Sequence, residues 1–155
     1  MVRGFRSHNL LSASISLWLL LCLNPASADG ADAELLEPDK AFRLTVRVLD
    51  PTRLELSYAI APGYYLYRDR FRFDVEPNGV SVGMAQIPPG EIEDDPTFGK
   101  VAIFRDTLRI TLPITRAKRA AQDITLTVTS QGCADAGVCY VPQKKKMFVH
   151  LPGAP

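Results

Sequence analysis

The stretch FRLTVRVLDPTRLELSYAI, residues 42–60, decides the fold class. On each side of a central turn, apolar residues occupy every second position: Phe42, Leu44, Val46 and Val48 before it, and Leu54, Leu56, Tyr58 and Ile60 after it. A period of two places such residues on one face of a β-strand. The Asp-Pro-Thr sequence at residues 50–52 is typical of a turn. The stretch therefore predicts two consecutive strands, each buried on one face.

Further apolar segments of strand type follow along the chain. They lie at residues 64–73, 80–84, 101–104, 108–114, 124–128 and 147–151. About seven or eight short strands without an amphipathic helix predict an all-β protein, an immunoglobulin-like antiparallel β-sandwich, with a small barrel as the alternative. Pro113 lacks the N–H that a central strand donates, which predicts a sheet edge at that position. The acidic run from Glu91 to Asp95 predicts a polar loop.

The first 28 residues have the features of a signal peptide. Arg3 and Arg6 precede an apolar run at residues 10–23, and the small residues Ala-Ser-Ala at 26–28 follow it. This order predicts export to the periplasm with cleavage after Ala28. The apolar run is short for a bilayer about 30 Å thick, although an uncleaved membrane anchor is the alternative.

Cleavage would leave one domain of moderate size and little net charge. We expect an acidic, flexible lead-in at residues 29–40 and a single domain at residues 41–155. The signal carries two of the 18 basic residues and none of the 17 acidic ones, so the remaining chain has a net charge of −1. Such a balance does not favour nucleic acid as a partner. We expect a monomer.

Two of the three cysteines, Cys133 and Cys139, remain after cleavage. They lie in the stretch QGCADAGVCY, residues 131–140, whose glycines and alanines allow a tight loop and a disulfide. A structural staple is one interpretation, but closing so short a loop stabilises the fold by only roughly 2 kcal/mol in the chain-entropy model. A redox-active pair is the other, and spacing alone leaves both open.

Metal binding and hydrolytic catalysis find little support in the remaining residues. His150 is the single histidine after Ala28, and it lies far from the cysteines in sequence. Two thiolates and one distant imidazole do not form a recognisable zinc site, and no protease triad can be assembled. We therefore expect neither a metal nor another cofactor.

Four stretches resemble the N-terminal periplasmic domain of the thiol:disulfide interchange protein DsbD. They are PDKAF at residues 38–42, GYYLYR at 63–68, FGKVAIFRD at 98–106, and QGCADAGVCY at 131–140, which Pro142 follows. The last is the most specific, and the resemblance extends over nearly all of the chain after residue 28. It implies an immunoglobulin-like domain that performs thiol-disulfide exchange.

The resemblance also implies partners and unequal roles for the two cysteines. Such a domain passes reducing equivalents from a membrane-embedded thiol electron transporter to thioredoxin-fold periplasmic proteins, including those of cytochrome c maturation. Cys139 matches the cysteine that forms the mixed disulfide with a partner, and Cys133 matches the one that resolves it. Asp135, inside the loop, is expected to oppose thiolate formation by its negative charge.

A cap loop over the cysteines is implied at residues 94–99. Phe98 is expected to shield the sulfurs, with Gly99 beside it, although the family commonly has two adjacent aromatics where this chain has Thr97 and Phe98. An ordinary core position for Phe98 is the alternative. The resemblance places some of the tyrosines Tyr64, Tyr65 and Tyr67 beside the cysteine loop in a supporting role, although ordinary core or sheet-face positions are the alternative. Tyr140 flanks Cys139 in the sequence.

The sequence leaves two alternatives to a stand-alone redox relay open. One is an immunoglobulin-like binding or assembly module whose local disulfide is inert. The other concerns length, because proteins of this family continue into a membrane domain and a thioredoxin-like domain. The end after the last predicted strand favours a stand-alone carrier over a fragment.

Overall fold

The computed structural model describes residues 34–154. One helical turn, α1 (Pro38–Ala41), precedes the first strand, and a 3-10 turn (Arg68–Arg70) follows the third. The strands are β1 (Phe42–Asp50), β2 (Arg53–Ile60), β3 (Tyr64–Tyr67), β4 (Arg72–Glu76), β5 (Val80–Val82), β6 (Glu91–Asp95), β7 (Gly99–Phe104), β8 (Thr107–Arg116), β9 (Gln122–Ser130), β10 (Gly132–Ala134), β11 (Val138–Cys139) and β12 (Gln143–Leu151).

The strands form three antiparallel sheets. The first sheet has the order β1-β2-β8-β5, the second β12-β9-β4, and the third β11-β10-β3-β7-β6. The predicted strands at residues 42–48 and 54–60 pair as an antiparallel hairpin, with Val46 opposite Leu56. The prediction of an immunoglobulin-like antiparallel fold is confirmed, and none of the three sheets closes into a barrel within residues 34–154.

The core lies between the first and second sheets. The inward residues of β2 and β8, such as Leu56 and Ile110, belong to the same buried cluster as Leu126 and Val128 of β9. Burial of each apolar side chain of this kind contributes about 1.5–3 kcal/mol to the free energy of folding, relative to leaving it exposed. The alternation seen in the sequence therefore supplies the apolar faces of both layers.

The prediction that Pro113 marks a sheet edge is wrong. Strand β8 lies between β2 and β5, and Pro113 is paired with Arg53 of β2. On the opposite side, β5 ends at Val82, and the Gly83 N–H donates to the Pro113 carbonyl oxygen at 2.8 Å. The proline is tolerated because the neighbouring strand leaves the ladder where the missing N–H would have been required.

The acidic run predicted as a loop is strand β6. It pairs with β7 from Glu91 opposite Ile103 to Asp95 opposite Gly99. The four residues before Asp95 are all exposed, so β6 belongs to a hairpin projecting from the body. Strand formation here depends on backbone pairing within the hairpin, and the sequence shows no apolar alternation to reveal it.

The predicted signal peptide and most of the predicted lead-in lie outside the described residues. Within the described part, the end of the lead-in makes specific contacts: the Leu36 N–H donates to the Tyr64 hydroxyl at 2.8 Å, and Asp39 pairs with Lys145 at 2.9 Å. None of the helices between residues 34 and 154 has the length and apolar character needed to span a membrane.

Candidate redox site

Cys133 and Cys139 face each other across a very short hairpin. Strand β10 pairs with β11 so that the two cysteines are direct partners, with their Cα atoms 3.9 Å apart, and they form a disulfide. The turn between them uses Gly137 at φ 83°, a conformation that glycine adopts without steric cost. The Gly137 N–H donates to the Ala134 carbonyl oxygen at 2.9 Å. The predicted disulfide-forming loop is therefore a hairpin that aligns both sulfurs.

Close packing behind the hairpin requires Gly132. A Cβ at this position would lie 2.2 Å from the Tyr65 carbonyl oxygen and 2.7 Å from Cζ of Phe42. Strand β10 can approach β3 this closely because residue 132 has no side chain. Cys133 consequently lies directly opposite Tyr65 in the sheet.

The two sulfurs differ in accessibility because of the order of the strands. Cys133 is 0% exposed, since β10 lies between β3 and β11. Cys139 is exposed, because β11 is the terminal strand in the order of this sheet. Cys139 is therefore the cysteine on the solvent side of the pair, whereas Cys133 faces the protein interior.

Tyr67 connects the disulfide to a buried carboxylate. Its hydroxyl oxygen lies 3.2 Å from Cys133 Sγ and 3.8 Å from Cys139 Sγ, and its O–H donates to Asp95 Oδ2 at 2.5 Å. The Tyr65 hydroxyl donates to the same carboxylate oxygen at 3.3 Å. Burial and the hydrogen bond to Asp95 both raise the pKa of Tyr67, so its phenol stays protonated at physiological pH.

The side chain of Asp95 also organises the tip of the β6–β7 hairpin. Its Oδ1 accepts the N–H of Thr97 at 2.8 Å and of Phe98 at 2.9 Å. The hydrogen bond from Tyr67 lowers the pKa of Asp95, helped by those two amides and opposed by burial. Asp95 lies within the cap loop predicted from the sequence, but its neighbours in sequence indicate no role for it.

Phe98 lies at the tip of the β6–β7 hairpin, residues 91–104, and is 43% exposed. This hairpin contains the predicted cap loop at residues 94–99 and is called the cap hairpin below. Its ring contacts Tyr67 edge to face, with centroids 5.5 Å apart, and the guanidinium of Arg70 lies 4.8 Å from its centroid. Phe98 thus packs on the tyrosine that contacts both sulfurs. Gly99 follows in a left-handed conformation at φ 71°. The part played by Arg70 was not predicted, because its position depends on the 3-10 turn.

Asp135 is paired with an arginine that no pattern in the sequence indicates as a site residue. Arg105 Nη1 lies 2.7 Å from Asp135 Oδ1, and the Arg105 guanidinium lies 5.1 Å from the Tyr65 ring centroid. The negative charge that was expected to oppose thiolate formation is therefore offset by a nearby positive charge. Arg105 lies within the quoted stretch FGKVAIFRD, but thirty residues separate it from its partner.

Tyr140 directly follows β11 and packs against residues at the start of the domain. Its ring contacts Phe42 edge to face at 5.5 Å, and its O–H donates to the Leu36 carbonyl oxygen. Burial, together with the neighbouring Tyr64, raises the pKa of Tyr140 to about 12. This tyrosine anchors the end of β11, so it supports the position of Cys139 rather than taking part in proton transfer.

Two valines near Cys139 in sequence present apolar side chains to solvent. Val138 is 43% exposed and Val141 is 74% exposed. Among the described residues, no cluster of three or more histidine, cysteine, aspartate or glutamate side chains is arranged to hold a metal ion. The arrangement is suited to chemistry by the two sulfurs themselves.

Comparison with known proteins identifies relatives of the entire described domain. Residues 32–151 match the family "Thiol:disulfide interchange protein DsbD, N-terminal". The thiol:disulfide interchange protein DsbD of Ralstonia nicotianae is 40% identical over 128 residues, which cover 82% of this chain and 20% of that protein. The chain spans a quarter or less of the length of such curated relatives.

Two solved structures of DsbD N-terminal domains share the fold. The reduced domain from Neisseria meningitidis has a TM-score of 0.69 at 30% identity, covering 78% of this chain and 94% of that one. The same domain in complex with the PilB N-terminal domain gives a TM-score of 0.61 at 29% identity, covering 74% and 87%. Because the matched residues include both cysteines and the cap hairpin, this chain belongs to the family of the DsbD N-terminal domain.

Proposed function

We propose that this domain is a thiol:disulfide interchange relay, which accepts two electrons from one dithiol partner and transfers them to the disulfide of another. The observation that carries the proposal is the unequal exposure of the disulfide, with Cys139 exposed and Cys133 buried beside Tyr67. Disulfide exchange requires one sulfur that an incoming thiolate can reach and a second that leaves or attacks within the same protein.

Reduction of the domain begins at Cys139. A thiolate of the reduced partner attacks Cys139 Sγ, the Cys133–Cys139 bond breaks, and Cys133 leaves as a thiolate that takes up a proton. The partner's second thiolate then attacks its own sulfur in the mixed disulfide and releases Cys139 as a thiolate. The partner ends oxidised, and the domain holds two thiols.

Transfer to the next protein reverses these roles. Cys139 loses its proton, and its thiolate attacks the disulfide of an oxidised partner and releases one partner sulfur as a thiolate. Cys133 then loses its proton, and its thiolate attacks Cys139 Sγ and releases the second partner sulfur. The Cys133–Cys139 bond re-forms and the second partner leaves as a dithiol. The Tyr67 hydroxyl oxygen, 3.2 Å from Cys133 Sγ, is placed to accept a hydrogen bond from the Cys133 thiol in the reduced state.

The cap hairpin limits access to this chemistry between encounters. Phe98 rests on Tyr67, and the Asp95 side chain fixes the turn that carries Phe98. An arriving partner displaces the hairpin tip and reaches the apolar surface formed by Val138 and Val141. This role for Phe98 is part of the proposal.

We assign the domain to the periplasm, with residues 1–28 as a cleaved signal peptide and residues 41–155 as the working domain. Its proposed electron donor is a membrane-embedded thiol transporter, and its proposed acceptors are thioredoxin-fold periplasmic proteins. Support comes from the signal-like sequence, and from the related domain whose structure was determined in complex with the PilB N-terminal domain.

Equilibration of the oxidised domain with reduced thioredoxin tests the proposal. We expect the Cys133–Cys139 bond to be reduced and thioredoxin to become oxidised, with free thiols counted by mass shift after alkylation. Structural disulfides have potentials below about −300 mV, whereas thioredoxin lies near −270 mV. A bond that stays oxidised in excess reduced thioredoxin would indicate an inert staple in a binding module, and would contradict the relay.

A further inference from the structure

Arg105 lies at a junction between the cap hairpin and the cysteine hairpin. It follows β7, pairs with Asp135 in the turn between the cysteines, and stacks over Tyr65 of β3. The Asp135 N–H in turn donates to the Gly63 carbonyl oxygen at 2.8 Å, so both the backbone and the side chain of this residue are held. One side chain therefore connects three segments of the redox site.

The charges around the sulfurs come from a small set of residues. The negative groups are Asp135 in the turn and Asp95 on β6, and the positive groups are Arg105 after β7 and Arg70 above Phe98. Tyr65 and Tyr67, on β3, are neutral at physiological pH, because burial raises the pKa of each. Glu93, on β6, acts on Arg105 from a distance.

Of the two carboxylates, Asp95 has its charge distributed over two tyrosine hydroxyls and two backbone N–H groups. Asp135 instead has Arg105 as its side-chain partner and is 49% exposed at the side chain. It is two residues from Cys133, whose Cα lies 3.9 Å from that of Cys139, so the Cα atoms of Asp135 and Cys139 are at most about 11 Å apart. At such a distance, an uncompensated carboxylate disfavours a neighbouring thiolate.

Resting on the proposed exchange function, we propose that Arg105 is a positioning residue that offsets the charge of Asp135 and thereby keeps the Cys139 thiolate easy to form. Neither partner touches the reacting atoms. The pair acts on the sulfurs through its electrostatic field and through the placement of the turn.

Substitutions of Arg105 and of Asp135 should shift the Cys139 pKa in opposite directions. The opposite signs distinguish an effect of charge from an effect of structure. Arg105→Gln leaves Asp135 uncompensated, so the Cys139 pKa rises. Asp135→Asn leaves Arg105 uncompensated, so that pKa falls. Loss of a purely mechanical tether would instead shift both variants in the same direction, because each removes the same contact.

The test measures the rate of Cys139 alkylation by iodoacetamide against pH, at low salt, in a Cys133→Ser background where a single thiol titrates. We expect Arg105→Gln to raise the apparent pKa of Cys139 by about 0.3 to 1 unit from Coulomb's law at a separation of about 11 Å, and Asp135→Asn to lower it by a similar amount. The double variant should return close to the starting value, and Arg105→Lys should shift little. High salt should reduce every shift.

Arg109→Gln is the matched control, because it removes an exposed arginine from β8 in the first sheet. The pH dependence of its Cys139 alkylation rate should coincide with that of the Cys133→Ser parent. The same series in the reduced two-cysteine protein serves as the second measurement should Cys133→Ser fold poorly. Equal profiles for all variants, or shifts of the same sign for Arg105→Gln and Asp135→Asn, overturn the assignment to Arg105. A disulfide inert to reduced thioredoxin would overturn the relay and leave the titration result standing.

Discussion

Replacing Phe98 by alanine should speed alkylation of the reduced protein. The ring contributes an edge-to-face contact with Tyr67 and a cation–π contact with Arg70. Such contacts contribute about 0.5–1.5 and about 0.5–1 kcal/mol, so the closed cap hairpin loses about 1 to 2.5 kcal/mol. If alkylation required full opening, the rate would rise about 5- to 70-fold. Because Cys139 is already exposed in the closed state, we expect a smaller rise, of up to about fivefold.

The assay is the second-order rate of iodoacetamide reaction at fixed pH, followed by mass spectrometry. Phe148→Ala is the matched control, since Phe148 is 86% exposed on β12 in the second sheet, and it should leave the rate unchanged. Circular dichroism and melting temperature establish that both variants are folded. An unchanged rate in folded Phe98→Ala would refute the proposal that this ring restricts access to the sulfurs.

Three further outcomes follow from the geometry. Cys133→Ser should accumulate mixed disulfides through Cys139 in periplasmic extracts, because the resolving thiolate is gone. Cys139→Ser should trap little. Equal amounts of mixed disulfide for the two variants on non-reducing gels would overturn the assigned roles. Gly132→Ala should destabilise the fold by about 1–3 kcal/mol in urea unfolding, because the new methyl group would overlap a backbone oxygen of β3. Gly153→Ala is the control: the atom nearest to its new methyl group would be 3.6 Å away, so the free energy of unfolding should change little. Asp95 has a pKa below its ordinary value, so its carboxylate stabilises the fold above the unfolded-state pKa of about 3.9 and loses that effect as pH falls through the lower folded pKa. The melting temperature of Asp95→Asn should therefore lie below that of the parent at pH 7 and approach it in acid, and a constant difference across this range would contradict the assignment.

Other carboxylates titrate in the same acidic range. Asp50, for example, has its pKa lowered to about 2 by the Thr52 amide and by the side chains of Arg53 and Thr52. The comparison of Asp95→Asn with the parent protein removes these shared contributions, because both chains carry them. The difference between the two curves then reports on Asp95 itself.

The elements that short sequence patterns encode could be predicted from the sequence. Strands β1 and β2 follow directly from apolar residues at every second position, since alternation is a property of the strand itself. The cysteine loop was recognisable because a tight turn and two nearby thiols need only a few consecutive residues. Pro113 and the acidic strand β6 were misassigned because their outcome depends on which segment lies beside them.

The sequence by itself determined the all-β class, the buried faces of the main strands, and a loop tight enough to join Cys133 and Cys139 in a disulfide. Only the tertiary structure decided that Cys133 is buried and Cys139 exposed, that Asp95 joins Tyr67 to the cap hairpin, and that Arg105 offsets Asp135. The physical reason is distance along the chain. Periodicity and turn composition act over a few residues, whereas burial and charge pairing at this site depend on sheet order and on contacts between residues about thirty to seventy positions apart.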